Sequence, residues 1–260
     1  MPAKAAGYGD VGYASVGYPE GMSDALTPED TRDATGPVGD VLAVVKPRLR
    51  GWLHAGMFPL ALIGGIVLSI LAPAGPPRAG AVVFTVTAAL LFGTSALYHR
   101  GTWSARTHTL LKRLDHSNIF LVIAGTYTPF ALTLLPPDQG RTLLLLVWGG
   151  AIAGVLFRML WVTAPRWLST PIYVVLGWVA VFYIRPMLHF GGPVIVALIA
   201  LGGLLYTVGA IVYGTKRPNP FPSWFGFHEI FHACTVAAFL AHYVAASLAV
   251  YGAGSSLAAS

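Results

Sequence analysis

Thr142-Leu-Leu-Leu-Leu-Val-Trp-Gly-Gly-Ala-Ile-Ala-Gly-Val-Leu-Phe157 carries no ionisable side chain from end to end. With residues 158–162 it reaches the roughly 20 residues that an α-helix needs to cross the hydrocarbon core of a bilayer. Comparable apolar runs recur from Trp52 onward, near 52–72, 80–99, 116–135, 142–162, 170–188, 194–213 and 227–250. The chain is 55% hydrophobic and only 10% charged, with a mean hydropathy of +0.68. Such a composition excludes an ordinary soluble domain. The expectation is an all-α integral membrane protein, a bundle of seven transmembrane helices over residues 46–252 with a short C-terminal tail at 253–260. Pro59, Pro129 and Pro186 should kink or end their helices. Thr126, Tyr127 and Thr128 are expected to hydrogen-bond backbone groups freed at Pro129. Gly150-x-x-x-Gly154 permits close helix approach and is read as packing within the bundle.

Residues 1–45 are a different material, rich in Gly, Pro and acids, with Gly-Tyr repeating at Gly7-Tyr8, Gly12-Tyr13 and Gly17-Tyr18. This pattern predicts a disordered tail. Seven acids against Lys4 and Arg32 give the tail a charge of −5, whereas three acids against fourteen bases give residues 46–260 a charge of +11. No cationic segment followed by a short apolar run precedes residue 52, so no cleavable signal peptide is expected and the first span doubles as the insertion signal. Short cytoplasmic loops retain Lys and Arg. A cytoplasmic N-terminus and seven crossings put Lys46, Arg48, Arg50, Arg100, Arg106, Lys112, Arg113, Arg158, Arg166, Lys216 and Arg217 inside, and only Arg78, Arg141 and Arg185 outside. The C-terminus then lies outside the cell membrane. Basic character is thus explained by topology and anionic lipid; no nucleic-acid-binding motif is present.

Reactive side chains within the apolar region gather in three short segments: Ser95-Ala-Leu-Tyr-His99, Asp115-His116 and His228-Glu229-Ile-Phe-His232. Asp115, Asp138 and Glu229 are the only acids after residue 46, and acids inside a membrane are costly enough to mark function. In the seven-span topology all three segments fall at cytoplasmic helix ends. Ser95 and His99, like His228 and His232, stand four apart and so project from one helical face. Three imidazoles with an open fourth position suit a catalytic zinc site. The expected ligands are His99, His228 and His232, with Asp115 holding a water and acting as general base and Ser95 hydrogen-bonding beside it. The bland alternative is a structural polar network joining helices two, three and seven. His54, His108, His116, His189 and His242 lack equivalent pairing and are read as non-ligands.

The string from His228 to His232 also fits the His-Glu-x-x-His pattern of metalloproteases. No second acidic motif accompanies it, so Glu229 is read instead as facing headgroups or pairing with Lys216 or Arg217. Cys234, the sole cysteine, implies no intrachain disulfide.

Ser95-x-x-x-His99, the run from Asp115 through Ser117-Asn118 to Thr128-Pro129-Phe130, and His228-x-x-x-His232 together resemble the hemolysin III branch of the progestin and adipoQ receptor family. The likeness covers about residues 46–250. It implies a seven-helix bundle with its amino terminus in the cytoplasm and zinc near the inner leaflet. By the same resemblance His99, His228 and His232 match the zinc ligands, Asp115 the water-holding acid and Ser95 the serine beside it. At the start of the first helix many bacterial relatives carry a glutamate and an asparagine before a histidine; here Lys46-Pro-Arg-Leu-Arg-Gly-Trp-Leu-His54 keeps only the histidine.

The family's site is similar to that of alkaline ceramidases, which implies hydrolysis of an amide or ester in a membrane lipid. Two further readings stand beside it. One is a non-catalytic sensor or homeostasis protein with structural zinc, and the other a pore-forming, hemolysin-like protein. Membrane lipid is the expected substrate or ligand, and the inner membrane the expected location.

Overall fold

A computed structural model describes residues 47–258, with side chains through residue 253; the expected tail at 1–45 lies outside the described residues. The described residues form helices joined by short turns, with no strand among them. In chain order these are α1 (Trp52–Leu71), α2 (Pro76–Arg100), α3 (Ala105–Thr133), α4 (Pro137–Leu160), α5 (Arg166–Gly177), a 3-10 segment (Trp178–Tyr183), α6 (Ile184–Thr215) and α7 (Phe227–Ala258). Their starts follow from local chemistry. Pro76 and Pro137 open α2 and α4, where a missing N–H costs nothing. Ser104 caps α3 by accepting from the Thr107 N–H. At the head of α7 the Gly226 N–H donates to Glu229 Oε2 at 2.8 Å, half of a capping box. The helix then runs on through Ala258, past the expected end near residue 250.

Five stretches among the described residues are long and apolar enough to cross a membrane: α1, α2, α4, Arg166–Thr215 and Phe227–Ala253. α3 is the exception because Arg106, Lys112, Arg113 and Asp115 crowd its first third. It is nonetheless closely enclosed, with buried residues recurring from Leu111 to Ala131 and contacts to α2, α4, α5 and α7. Outward faces are apolar: Leu60, Ile63 and Ile70 on α1, Leu145, Ile152 and Leu156 on α4, and Leu204, Val208 and Ile211 on α6 are all exposed. Patches of this extent belong against lipid rather than water.

The stretch from Arg166 to Thr215 is not one straight rod. The backbone leaves helical geometry at Gly192 (φ 77, ψ 173), followed by Pro193. Trp178 Nε1 donates to Thr207 Oγ1 at 2.9 Å, although 29 residues separate them. A continuous helix would hold those residues about 43 Å apart, so the chain doubles back. Glycine is required at this turn because an L side chain rarely adopts positive φ. Upstream, the 3-10 segment stops just short of Pro186, whose ring conflicts with the carbonyl four residues before it.

Two apolar cores share α3 and α7. One joins α1, α2, α3 and α7 through Met57, Leu68, Phe84, Phe92, Val122 and Phe239. The other joins α3 to α4, α5, α6 and α7 through Phe120, Phe130, Leu143, Leu176, Met187 and Ala246. Gly154 lies against Phe120 and Gly150 against Leu176, so the glycine pair of α4 serves packing inside the chain. The threonines near Pro129 bond differently from expectation. Thr126 and Thr128 donate to the carbonyls of Val122 and Ala124, not to that of Gly125, the one Pro129 cannot reach. Tyr127 instead ties α3 to the end of α5, donating to the Gly177 carbonyl at 2.6 Å and accepting from the Ala180 N–H.

Candidate metal centre

α2 ends and α7 begins at the same end of the bundle, where the chain around Arg48 and Leu49 hydrogen-bonds the turn at Ser223 and Trp224. Ser95 and His99 occupy the last turns of α2, both buried. His228 and His232 occupy the first turns of α7, and the ligand atoms of His99, His228 and His232 lie within 4.8 Å of one another. The Nε2 atoms of His99 and His228 are 3.3 Å apart. Two nitrogens bound at about 2.0–2.1 Å to one tetrahedral ion would stand about 3.3–3.4 Å apart. The donor set therefore fits a metal ion, and neutral imidazoles suit zinc among others.

Asp115, one turn into the buried part of α3, brings Oδ2 to 3.8 Å from His99 Nε2. The Ser95 side chain hydrogen-bonds its carboxyl. The structure thus brings together all five residues singled out in the sequence. Asp138 stands apart in the first turn of α4. Glu229 corrects the expectation set by its neighbours in sequence. It is 1% exposed and takes Arg50 Nε at 2.7 Å, leaving Lys216 and Arg217 out of the pairing. Its second oxygen holds the Gly226 N–H, so the residue fixes the start of α7 and with it the position of His228 and His232.

Two histidines read from the sequence as non-ligands have other contacts. His54 of α1 is 2% exposed and stacks on His232 with ring centroids 3.8 Å apart and planes 3° from parallel. It lies outside the three-histidine group but sets the tilt of one of its rings. His116 is not among the three convergent histidines: its Nδ1 donates to the Lys112 carbonyl at 2.7 Å, leaving Nε2 to accept from Tyr213 Oη at 3.5 Å.

Behind the cluster a cavity of about 180 Å³ opens into the bundle. Its walls include Asp115, His228 and His232 at one end and Phe130, Ile184 and Met187 at the other. Asp115 to Phe130 spans about 22 Å along α3 at 1.5 Å per residue. Between them Ile and Val side chains such as Ile119, Val122, Ile123 and Ile199 alternate with hydroxyl-bearing ones, among them Thr126, Thr170, Tyr173, Tyr206 and Thr207, and with His242. Trp178, Val181 and Ile184 line this cavity and are also exposed on the outer surface, so the wall at the 3-10 segment is one side chain thick.

Compared with known proteins, residues 42–243 match the family model described as Haemolysin-III related. The chain is similar to the Hemolysin-3 homolog of Bacillus subtilis (strain 168), 35% identical over 193 residues that cover 73% of this chain and 87% of that protein. It is similar also to Hemolysin-3 of Bacillus cereus, 34% identical over 173 residues, 65% of this chain and 78% of that one.

Proposed function

This chain belongs to the haemolysin-III-related family, and from that premise we propose that it is a zinc-dependent hydrolase acting on an amide or ester bond of a membrane lipid at the inner leaflet. The carrying observation is the placement of an Asp-Ser pair beside three convergent histidines at the head of a long apolar cavity. His99, His228 and His232 are the ligands. Zinc held there supplies Lewis acidity, polarising a carbonyl and acidifying water. Asp115 accepts the proton of the attacking water, and the Ser95 hydroxyl holds that carboxyl in place. The cavity takes an acyl chain, excludes water around it and presents the head of the lipid to the histidines. Its thin wall at Trp178, Val181 and Ile184 is the route from the bilayer.

Seven crossings with the amino terminus inside are part of the same proposal. The fold-back at Gly192 supports two passes between Arg166 and Thr215. Charge supports the orientation: Arg48, Arg50, Arg100, Arg106, Lys112, Arg113, Arg158, Arg166, Lys216 and Arg217 sit towards the histidine end, against Arg78, Arg141 and Arg185 towards the other.

A second reading is a lipid sensor with structural zinc, favoured by the way the cluster pins α2 to α7. Two measurements separate the readings. Metal content of purified protein should be near one zinc per chain, falling steeply in His99→Ala, His228→Ala and His232→Ala; stoichiometric zinc in all three variants would sink the ligand set. Fatty-acid release from ceramide-like lipids should disappear in Asp115→Asn with zinc retained. Equal release by wild type and Asp115→Asn, or none by either, would leave the sensor reading in possession.

A further inference from the structure

A second charged group lies where α3, α4 and the start of α5 meet; its Arg166 also stands over the rings of Tyr213 at 4.9 Å and Phe227 at 5.9 Å. Phe120 packs on Gly154. One and two turns earlier on the same face of α3 come Ser117 and Arg113, and one turn later on α4 comes Arg158, which is 3% exposed. Arg158 reaches the carbonyls of Val162 and Ala164 only at 3.4 Å. Its Nε has no partner. The same holds for Arg113 Nε, Arg166 Nη1, Ser117 Oγ and Thr170 Oγ1, all buried. Arg158, Arg166 and Lys112 each lie near enough to His116 to act on it electrostatically.

No carboxylate among the described residues answers this charge. Asp115 is turned to Ser95 and His99, Glu229 is taken by Arg50, and Asp138 lies 20 residues up α4 from Arg158, about 30 Å away. Guanidinium groups buried without a counter-ion are strongly unfavourable, so the arrangement calls for an anion. α5 begins at Arg166 with no side-chain cap, adding the positive end of a helix dipole.

We propose that Arg113, Arg158 and Arg166, with Ser117 and Thr170, bind a phosphate group at this end of the bundle. Phosphate suits the donor set because its several acceptor oxygens accept forked pairs from guanidinium and single bonds from hydroxyls. The half-buried Arg113 and Arg166 give it a way in from the surface. The group is carried by an anionic lipid headgroup or is free phosphate. The assignment needs neither the histidines nor Asp115 as ligands, although Thr170 also lines the cavity and Arg166 lies near enough to His228 to act on it electrostatically.

Thermal unfolding of the purified full chain in neutral detergent tests it, titrating short-chain phosphatidylglycerol, short-chain phosphatidylcholine and sodium phosphate separately. A saturable rise of a few degrees is expected with phosphatidylglycerol or with phosphate, and its apparent affinity should weaken about tenfold in Arg166→Gln and in Arg113→Gln. A rise with phosphatidylglycerol alone assigns the lipid source; an equal rise with sodium phosphate assigns free phosphate. Arg158→Gln should lose the most, but as its side chain is the most deeply buried the two half-buried arginines decide the matter. No saturable rise in wild type, an undiminished rise in both variants, or an equal rise with zwitterionic phosphatidylcholine overturns the proposal.

Discussion

On the α1 and α2 side of α7, Phe84 and Phe239 stack at 5.3 Å and Phe92 meets Phe239 edge-on at 5.1 Å; on the α5 and α6 side the same helix faces a cavity. Both sides are built from the same apolar residue types, so composition does not separate them. Helix integrity does. α1 and α2 are unbroken and fit closely where Gly65 meets Thr85 and Gly93 meets Phe58. α5 ends after 12 residues, contributes only Ser169 and Leu176 to the buried set, and passes into a 3-10 segment with no buried residue. The hollow side exists because one helix loses its regular contact surface halfway across.

The sharpest way to break this contrast is to hollow the solid side. Phe239→Ala should cost about 3–5 kcal/mol, because removing a ring from close-packed neighbours leaves a void. Val174→Ala, on the wall of the existing cavity, should cost about 1 kcal/mol or less, since it enlarges a space already present. Unfolding in mixed micelles measures both, and equal costs would show that the two sides are packed alike.

Next in size is the pair that anchors the shared helix. Glu229→Ala strands Arg50 and frees the head of α7, and should cost about 2–3 kcal/mol. The double variant Arg50→Met with Glu229→Gln should recover part of that loss. Zinc content would fall in the single variant if the start of α7 sets the histidines. Comparable to Val174→Ala is Trp178→Phe, which removes the bond to Thr207 and should cost about 1 kcal/mol. A loss as large as that of Phe239→Ala would mean that the hollow side depends on this bond to keep its shape.

Much of this was legible from local pattern. Each apolar run announces a helix because hydropathy is a local property, and His228 and His232 announce a shared face because four residues make one turn. The convergence of α2, α3 and α7 was expected from the number of apolar runs together with loop charge. What escaped was non-local. Arg50 and Glu229 are 179 residues apart, and the nearer bases Lys216 and Arg217 offered a false partner. His54 has no second histidine at helical spacing, so nothing in its neighbourhood shows that it stacks on His232. The cavity escaped for a different reason: Val181 and Ile184 serve as cavity lining and lipid-facing surface at once, and an apolar residue reads the same in either place.

Gly192 also governs an arithmetic of sides. Between Arg166 and Thr215 the chain meets only one charge, Arg185, so in the seven-crossing topology proposed above it is the reversal at Gly192 and Pro193 that makes this apolar stretch two passes rather than one. The parity of crossings decides which face of the membrane receives α7. Were the stretch threaded once, His228 and His232 would emerge opposite His99, and no repacking of side chains could reunite them. In that topology one backbone angle far from the histidines decides whether they can ever meet.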